Sequence, residues 1–208
     1  MTTTPMPRHF SAVSPDEIGP DAFLPIEKAG GLYVARLATP LVVQTPPMVL
    51  VSALDDEHGT PLSRAHVEPT PAFEAFARDV EKRVLDAALV NKQAWFRRPL
   101  EDQSLRASLK RFCTEGVALQ VRVPADVELF DAEGAPIARD HADVQPGARQ
   151  LRLILRLSEV CFGKNEFGAL WTLVQARACP PKKTPLCLID PHADEPEPDT
   201  APIENEFF

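Results

Sequence analysis

The chain has 208 residues, of which 44% are hydrophobic and 25% charged, with a formal net charge of -8. Length and apolar content suit one domain with extensions, on a prior of ~150 residues per domain. No run reaches the ~18 apolar residues of a membrane span. The opening MTTTPMPRHFSAVSPDE has no basic start followed by an apolar block, so a protein of the cytoplasm or nucleus of a host cell is expected, neither secreted nor bound to a membrane.

Residues 1–29 contain Pro5, Pro7, Pro15, Pro20 and Pro25 with weak periodicity. They read as a proline-rich arm, extended or partly disordered. β-rich runs follow at 32–38 (LYVARLA), 41–45 (LVVQT) and 48–55 (MVLVSALD), punctuated by Pro40, Pro46 and Pro47, and Asp55–Gly59 reads as a turn. Residues 71–91 give the clearest helix. Phe73, Phe76, Val80, Val84 and Ala87 recur at spacings of three and four, Pro71 suits the first helical position, and Thr70 can cap it. A shorter helix is expected over 100–113.

Strands then return. In VALQVRV (117–123), Val117, Leu119, Val121 and Val123 share one face, with Ala118, Gln120 and Arg122 on the other. VELFD (127–131) leads into a turn at Ala132-Glu133-Gly134. In 149–162, Leu151, Leu153, Leu155 and Leu157 point inward and Arg152, Ile154 and Arg156 outward. In 167–178, strict alternation puts Trp171, Leu173, Gln175 and Arg177 on one face. One helical insertion, about residues 71–113, inside about six to eight strands predicts a mainly β fold, a small antiparallel barrel, because closure removes exposed edges. The expected organisation is an arm (1–29), a barrel domain (30–180), and a linker with an acidic tail (181–208), the termini being disordered.

Charge is unevenly spread. Residues 190–208 hold seven acids and no Lys or Arg; thirty acids less those seven leaves 23 in the rest of the chain, against all 22 bases. Within that near-neutral body, 92–111 and 149–183 are locally basic, which suggests a polyanionic partner.

Catalytic and metal spacings are missing. Cys113, Cys161, Cys179 and Cys187 make no CxxC pair, and the five histidines are dispersed. Gly163-Lys164 lacks the rest of a phosphate loop, and His66-x-Glu68 has no PCxxC after it. The chain is therefore read as a non-enzyme with no cofactor and no metal. What recurs is base with aromatic: Trp95-Phe96-Arg97-Arg98, Phe162-Gly163-Lys164, and Trp171 with Arg177. Single-stranded nucleic acid is held by that combination, cations following phosphates and rings stacking on bases. Core packing is the competing assignment for Trp95, Phe96 and Trp171. The tail, acidic, broken by prolines and carrying Phe207-Phe208, can mimic a phosphodiester backbone and offer an aromatic pair to a partner's pocket.

An acidic C-terminus ending in aromatics on a β-barrel body resembles the replication single-stranded-DNA-binding proteins of certain bacteriophages. Trp95-Phe96 after the helix, the strands around VELFD and LRLILRLSEVCF, and above all Phe167-Gly168-Ala169-Leu170-Trp171-Thr172-Leu173-Val174-Gln175 are similar to the related proteins of the nucleocytoplasmic large DNA viruses. The similarity spans about residues 30–178. It implies an OB-fold that binds single-stranded DNA without strong sequence preference, in replication, recombination or repair. It also implies a tail that docks a replication polymerase or helicase and competes with DNA. The expected binding residues are Trp95, Phe96, Arg97, Arg98, Lys110, Arg111, Arg122, Arg152, Arg156, Phe162, Lys164, Trp171, Gln175 and Arg177. Glu204, Glu206, Phe207 and Phe208 are expected to dock partners. Charge separation between body and tail allows a homodimer by tail exchange. The alternative is a protein-interaction or virion-assembly module on the same barrel with DNA binding lost, which the near-neutral body favours.

Overall fold

The computed structural model describes residues 5–55, 58, 60, 62–96, 100–111 and 118–180. A short strand β1 (Arg8–His9) and three 3-10 turns precede β2 (Glu27–Ala29), which turns into the long β3 (Leu32–Gln44). Gly30 and Gly31 make that turn, both at positive φ (56° and 86°), as a two-residue hairpin demands. Then come β4 (Met48–Leu50), β5 (Arg64–Glu68), the helix α1 (Pro71–Val90), short helices α2 (Lys92–Trp95) and α3 (Asp102–Ser108), and β6 (Leu119–Arg122). The chain continues through β7 (Glu128–Phe130), β8 (Gln150–Phe162) and β9 (Phe167–Ala178).

Five segments close a circuit. β8 pairs with β4, β4 with β5, β5 with β6, β6 with β9, and β9 returns to β8. Only the β6–β9 contact in this circuit is parallel. β3 and β4 act as two halves of the first barrel strand, both lying against β8. The first strand thus neighbours the second and fourth, and the third runs parallel to the fifth. This is a five-stranded barrel of OB-fold type, mainly β, with the helices inserted between its second and third strands. Thr45 holds the β3–β4 corner: its hydroxyl accepts from the Leu153 amide (3.0 Å) and donates to the Pro46 carbonyl (2.8 Å).

The core follows the sequence periodicities. Leu151, Leu153, Leu155 and Leu157 of β8 and Leu119, Val121 and Val123 on and after β6 are buried as expected. So are Phe73, Phe76, Val80, Val84 and Ala87 of α1, whose first turn is capped by Thr70 accepting from the Phe73 amide (3.4 Å). Three expectations differ. The runs 32–38 and 41–45 form one strand, because a register shift between Arg36 and Leu41 lets Pro40 sit where no ladder donor is required. The helix expected over 100–113 is α3 alone, and after it Leu109 bridges to Phe167; Phe112, Cys113 and Val117 lie outside the described residues. β5 was not expected at all, although its sequence, RAHVE, alternates polar and apolar.

The proline-rich arm is also corrected. Residues 5–29 are not a loose extension. Val13 and Ile18 are buried, Phe10 sits edge-on to Phe73 and Phe76 (5.5 and 5.9 Å), and β1 pairs with β3. The Asn91 side chain at the end of α1 donates to the carbonyls of Pro20 and Ala87, both at 3.1 Å. Prolines here start 3-10 turns at Pro15 and Pro20, so low periodicity marks turn structure wrapped on a helix.

Candidate nucleic-acid interface

Alternation on the barrel strands decides which side chains face outward. β5 turns Ala65 and Val67 into the core and Arg64, His66 and Glu68 out; β6 turns Leu119 and Val121 in and Gln120 and Arg122 out. The register then sets Arg64 opposite Arg122, and His66 opposite Gln120, whose amide nitrogen lies 3.2 Å from His66 Nε2. Arg122 also lies beside Thr172, and Thr172 is opposite Arg156. One row across four strands therefore reads Arg64, Arg122, Thr172, Arg156.

Like charges opposed across strands are unfavourable, by up to about 1 kcal/mol. Among the described residues none of these three arginines has a carboxylate within 4.0 Å, whereas several cations elsewhere do. Arg8 pairs with Glu17, Arg36 with Glu27 and Glu159, Arg83 with Asp16, Arg139 with Asp55, and Arg149 with Asp143. Three cations without carboxylate partners among the described residues therefore stand in one row on the barrel.

A cleft of about 290 Å³ opens beside this row. Arg64, Gln120, Lys110 and Arg111 line it together with Leu32, Leu170 and Cys161. Lys110 and Arg111 arrive because the segment leaving α3 adds to the start of β9: the Lys110 amide donates to the Phe167 carbonyl at 2.7 Å. Gly168 permits that approach, since a Cβ there would come within 2.8 Å of the Lys110 carbonyl oxygen. Lys110 is held by Glu166 (3.2 Å) on the loop between β8 and β9, and Lys164 stands exposed on the same loop. Burial pushes the Cys161 thiol up, the Glu159 charge adds to this, and Arg122 opposes it.

The rings expected to stack on bases are corrected by their burial. Trp171 is 0% exposed, Trp95 8% and Phe162 9%, and Phe96 is half-buried. Trp95 and Phe96 both lie edge-on to Phe162 (5.5 and 5.6 Å), Phe96 to Phe167 (5.5 Å), and Phe23 of the arm to Trp95 (5.1 Å). Such edge-to-face pairs stabilise by ~0.5 to 1.5 kcal/mol each beyond their buried area. They pack α2 against the ends of β8 and β9, and only the edges left over line the neighbouring hollow of about 710 Å³ with Tyr33 and Lys164.

Strict alternation in β9 is also overturned. Leu155 faces Leu173 and Ile154 faces Gln175, so Val174 is a bulge. Trp171 and Leu173 point inward before it, and Ala176 and Ala178 after it. Trp171 and Arg177 therefore do not share a face. The bulge sends Gln175 and Arg177 outward, where Gln175 donates to Glu128 and Arg177 donates to the Ala132 carbonyl at 2.6 Å. Arg152 is opposite Arg177 and exposed.

Of the expected residues, Lys110, Arg111 and Phe162 line the cleft, Arg122 and Arg156 stand in the row that starts at Arg64, and Arg152, Gln175 and Arg177 lie farther along β8 and β9. Arg97, Arg98, Glu204, Glu206, Phe207 and Phe208 lie outside the described residues. Arg64 and Gln120 were not singled out as site residues; the polar–apolar alternation of β5 is the signal that would have found Arg64. Tyr33, 39% exposed beside the β2–β3 hairpin, lines the separate hollow with Trp95, Phe96 and Lys164.

A family model described as "Family of unknown function (DUF5871)" matches residues 67–186. The chain belongs to that family. The matched span runs from the end of β5 through β9 and contains Arg122, Thr172 and Arg156 but not Arg64. No curated protein matches the sequence. Among solved structures, the chain is similar to the single-stranded DNA-binding protein from bacteriophage Enc34, at 11% identity over 83% of this chain and 97% of that one, with a TM-score of 0.43. Its C-terminal truncation matches at 10% identity over 78% and 98%, TM-score 0.43, and its complex with single-stranded DNA at 11% over 77% and 97%, TM-score 0.40.

Proposed function

We infer that this barrel binds single-stranded nucleic acid, DNA in the first instance, without strong sequence preference and without catalytic turnover. The observation that carries the reading is the row Arg64–Arg122–Arg156, three cations without carboxylate partners among the described residues, beside a cleft with an apolar floor. Arg64 and Arg122 lie on the second and third barrel strands, the face on which OB-folds take oligonucleotides, and Arg156 on the fourth. Phosphates would follow the arginines, Lys110 and Arg111, while a base enters the cleft against Leu32 and Leu170. Such chemistry serves the single-stranded intermediates of replication, recombination or repair. The acidic segment 190–208 would compete with DNA for the same cations and, through Phe207 and Phe208, dock a polymerase or helicase.

The test is a titration of fluorescent oligo-dT at two salt concentrations, with the full chain and with one lacking residues 190–208. Three arginine contacts predict a log–log salt slope of about -2, at ~0.7 per phosphate on a single strand, and about -3.5 if Lys110 and Arg111 each neutralise a phosphate as well. Binding with a slope in that range, tighter in the shortened chain, supports both halves of the reading. Unchanged affinity in the shortened chain removes the competing tail. No binding by either chain at low salt rejects the reading and favours an interaction module, for which the near balance of 22 bases and 23 acids outside the tail speaks.

A further inference from the structure

A second pair of like charges lies away from the cleft. Arg152 of β8 is opposite Arg177 of β9, and Phe130 of β7 is in register with Arg177 on its other side. Gln44, Phe130, Arg152, Ile154, Gln175 and Arg177 line a hollow of about 220 Å³. Phe130 is half-buried, so part of its ring is accessible. The carboxylates of the β7 segment pair with neither arginine: Glu128 accepts from Gln175, and Asp131 accepts from the Ala135 amide at 2.7 Å. Arg177 is steadied by the Ala132 carbonyl, and Gly134, at φ 93°, lets the β7 turn pass over its guanidinium. Arg152 has no carboxylate partner among the described residues.

Two guanidinium groups, an accessible ring and two amides are the components that hold one nucleotide: a phosphate on the cations and a base against the ring. The hollow joins the main row along β8. Arg152 and Arg156 are four residues apart on the same outward side, so about 13 Å separates them at ~3.3 Å per residue. Ile154 and Gln175 form the row between.

We propose that the Arg152–Arg177–Phe130 hollow is a second nucleotide subsite, on the β7–β9–β8 flank, occupied by strand that has left the cleft and passed over Arg156. It rests on the reading of the cleft given above. A strand long enough to span both places gains contacts that a short one cannot make.

The experiment compares oligo-dT of about 20 nucleotides with one of about 4, the lower end of site sizes for one OB-fold. The full chain, Arg152→Ala and Phe130→Leu are titrated at several salt concentrations. Arg152 is exposed and its side chain makes no hydrogen bond or ion pair among the described residues, and Phe130→Leu keeps an apolar side chain, so folding survives in at least one variant. Each substitution is expected to weaken the long strand about tenfold and leave the short one unchanged, and Arg152→Ala to reduce the long-strand salt slope by about 0.7. Unchanged long-strand affinity in both variants overturns the subsite, and so does equal weakening of both lengths, which would make the hollow part of a single footprint. Failure of the full chain to bind either strand instead overturns the reading of the cleft, and this one with it.

Discussion

At the scale of single residues, burial separates chemistry from support. A tryptophan can stack on a base only if a ring face reaches solvent, and both tryptophans here are enclosed: Trp171 inside the barrel, Trp95 among Phe23 and Phe162. Saturating the protein with oligo-dT should therefore change tryptophan emission by only a few per cent, although stacking proteins are commonly followed by strong quenching. A quench of more than half, with the signal lost in Trp95→Phe, would show that the aromatic cluster opens on binding. The arginines are the reverse case. Arg64 and Arg122 are directly opposed and exposed, an arrangement with a cost to the sheet and no compensating acid in sight.

At the scale of elements, the cleft depends on how one segment meets one strand. The exit of α3 adds Lys110 and Arg111 to the start of β9 through the Lys110–Phe167 hydrogen bond, over a glycine that has no side chain to block it. Gly168→Ala places a methyl 2.8 Å from a backbone carbonyl oxygen, and backbone cannot swing aside as a flexible side chain can. Overpacking of this kind costs ~1 to 3 kcal/mol. The variant should lose stability by that amount in a denaturant melt and bind oligo-dT more weakly, since the cleft wall moves; wild-type stability and affinity together would count against the close approach. The bulge at Val174 works at the same scale. One extra residue reverses the outward and inward sets of β9, burying Trp171 while presenting Gln175 and Arg177.

At the scale of the whole molecule, the arm and α1 form a second layer on the barrel. Val13 and Ile18 are buried, Phe10 meets the two phenylalanines of α1, and Asn91 ties α1 back to Pro20. Burying a Val or Ile side chain stabilises by ~1.5 to 3 kcal/mol, so removal of residues 1–29 exposes several such contributions at once. That truncation should lower the thermal midpoint by ten degrees or more and yield a protein prone to aggregate; an unchanged midpoint would mean the arm merely rests on the surface. Its surface ion pair, Arg8 with Glu17, matters less, because both partners are more than two-fifths exposed. That pair holds the Glu17 carboxyl below the usual carboxylate range, so its small contribution is present at neutral pH and fades as pH falls through the folded value.

Periodicity alone located α1, its cap and its buried face, and the inward leucines of β8, because a helix repeats every 3.6 residues and a strand every two wherever one side meets a core. Charge counting separated an acidic tail from a near-neutral body. Pairing between distant strands decided the rest. No local pattern states that Arg64 will stand opposite Arg122, that a bulge at Val174 will turn Trp171 away from Arg177, or that Phe162 and Phe167 will close on Trp95 and Phe96. Those facts depend on register between strands, 18 residues apart for Leu155 and Leu173 at the bulge and 58 for Arg64 and Arg122, where side-chain packing and hydrogen bonding choose among alternatives that the local sequence leaves equal.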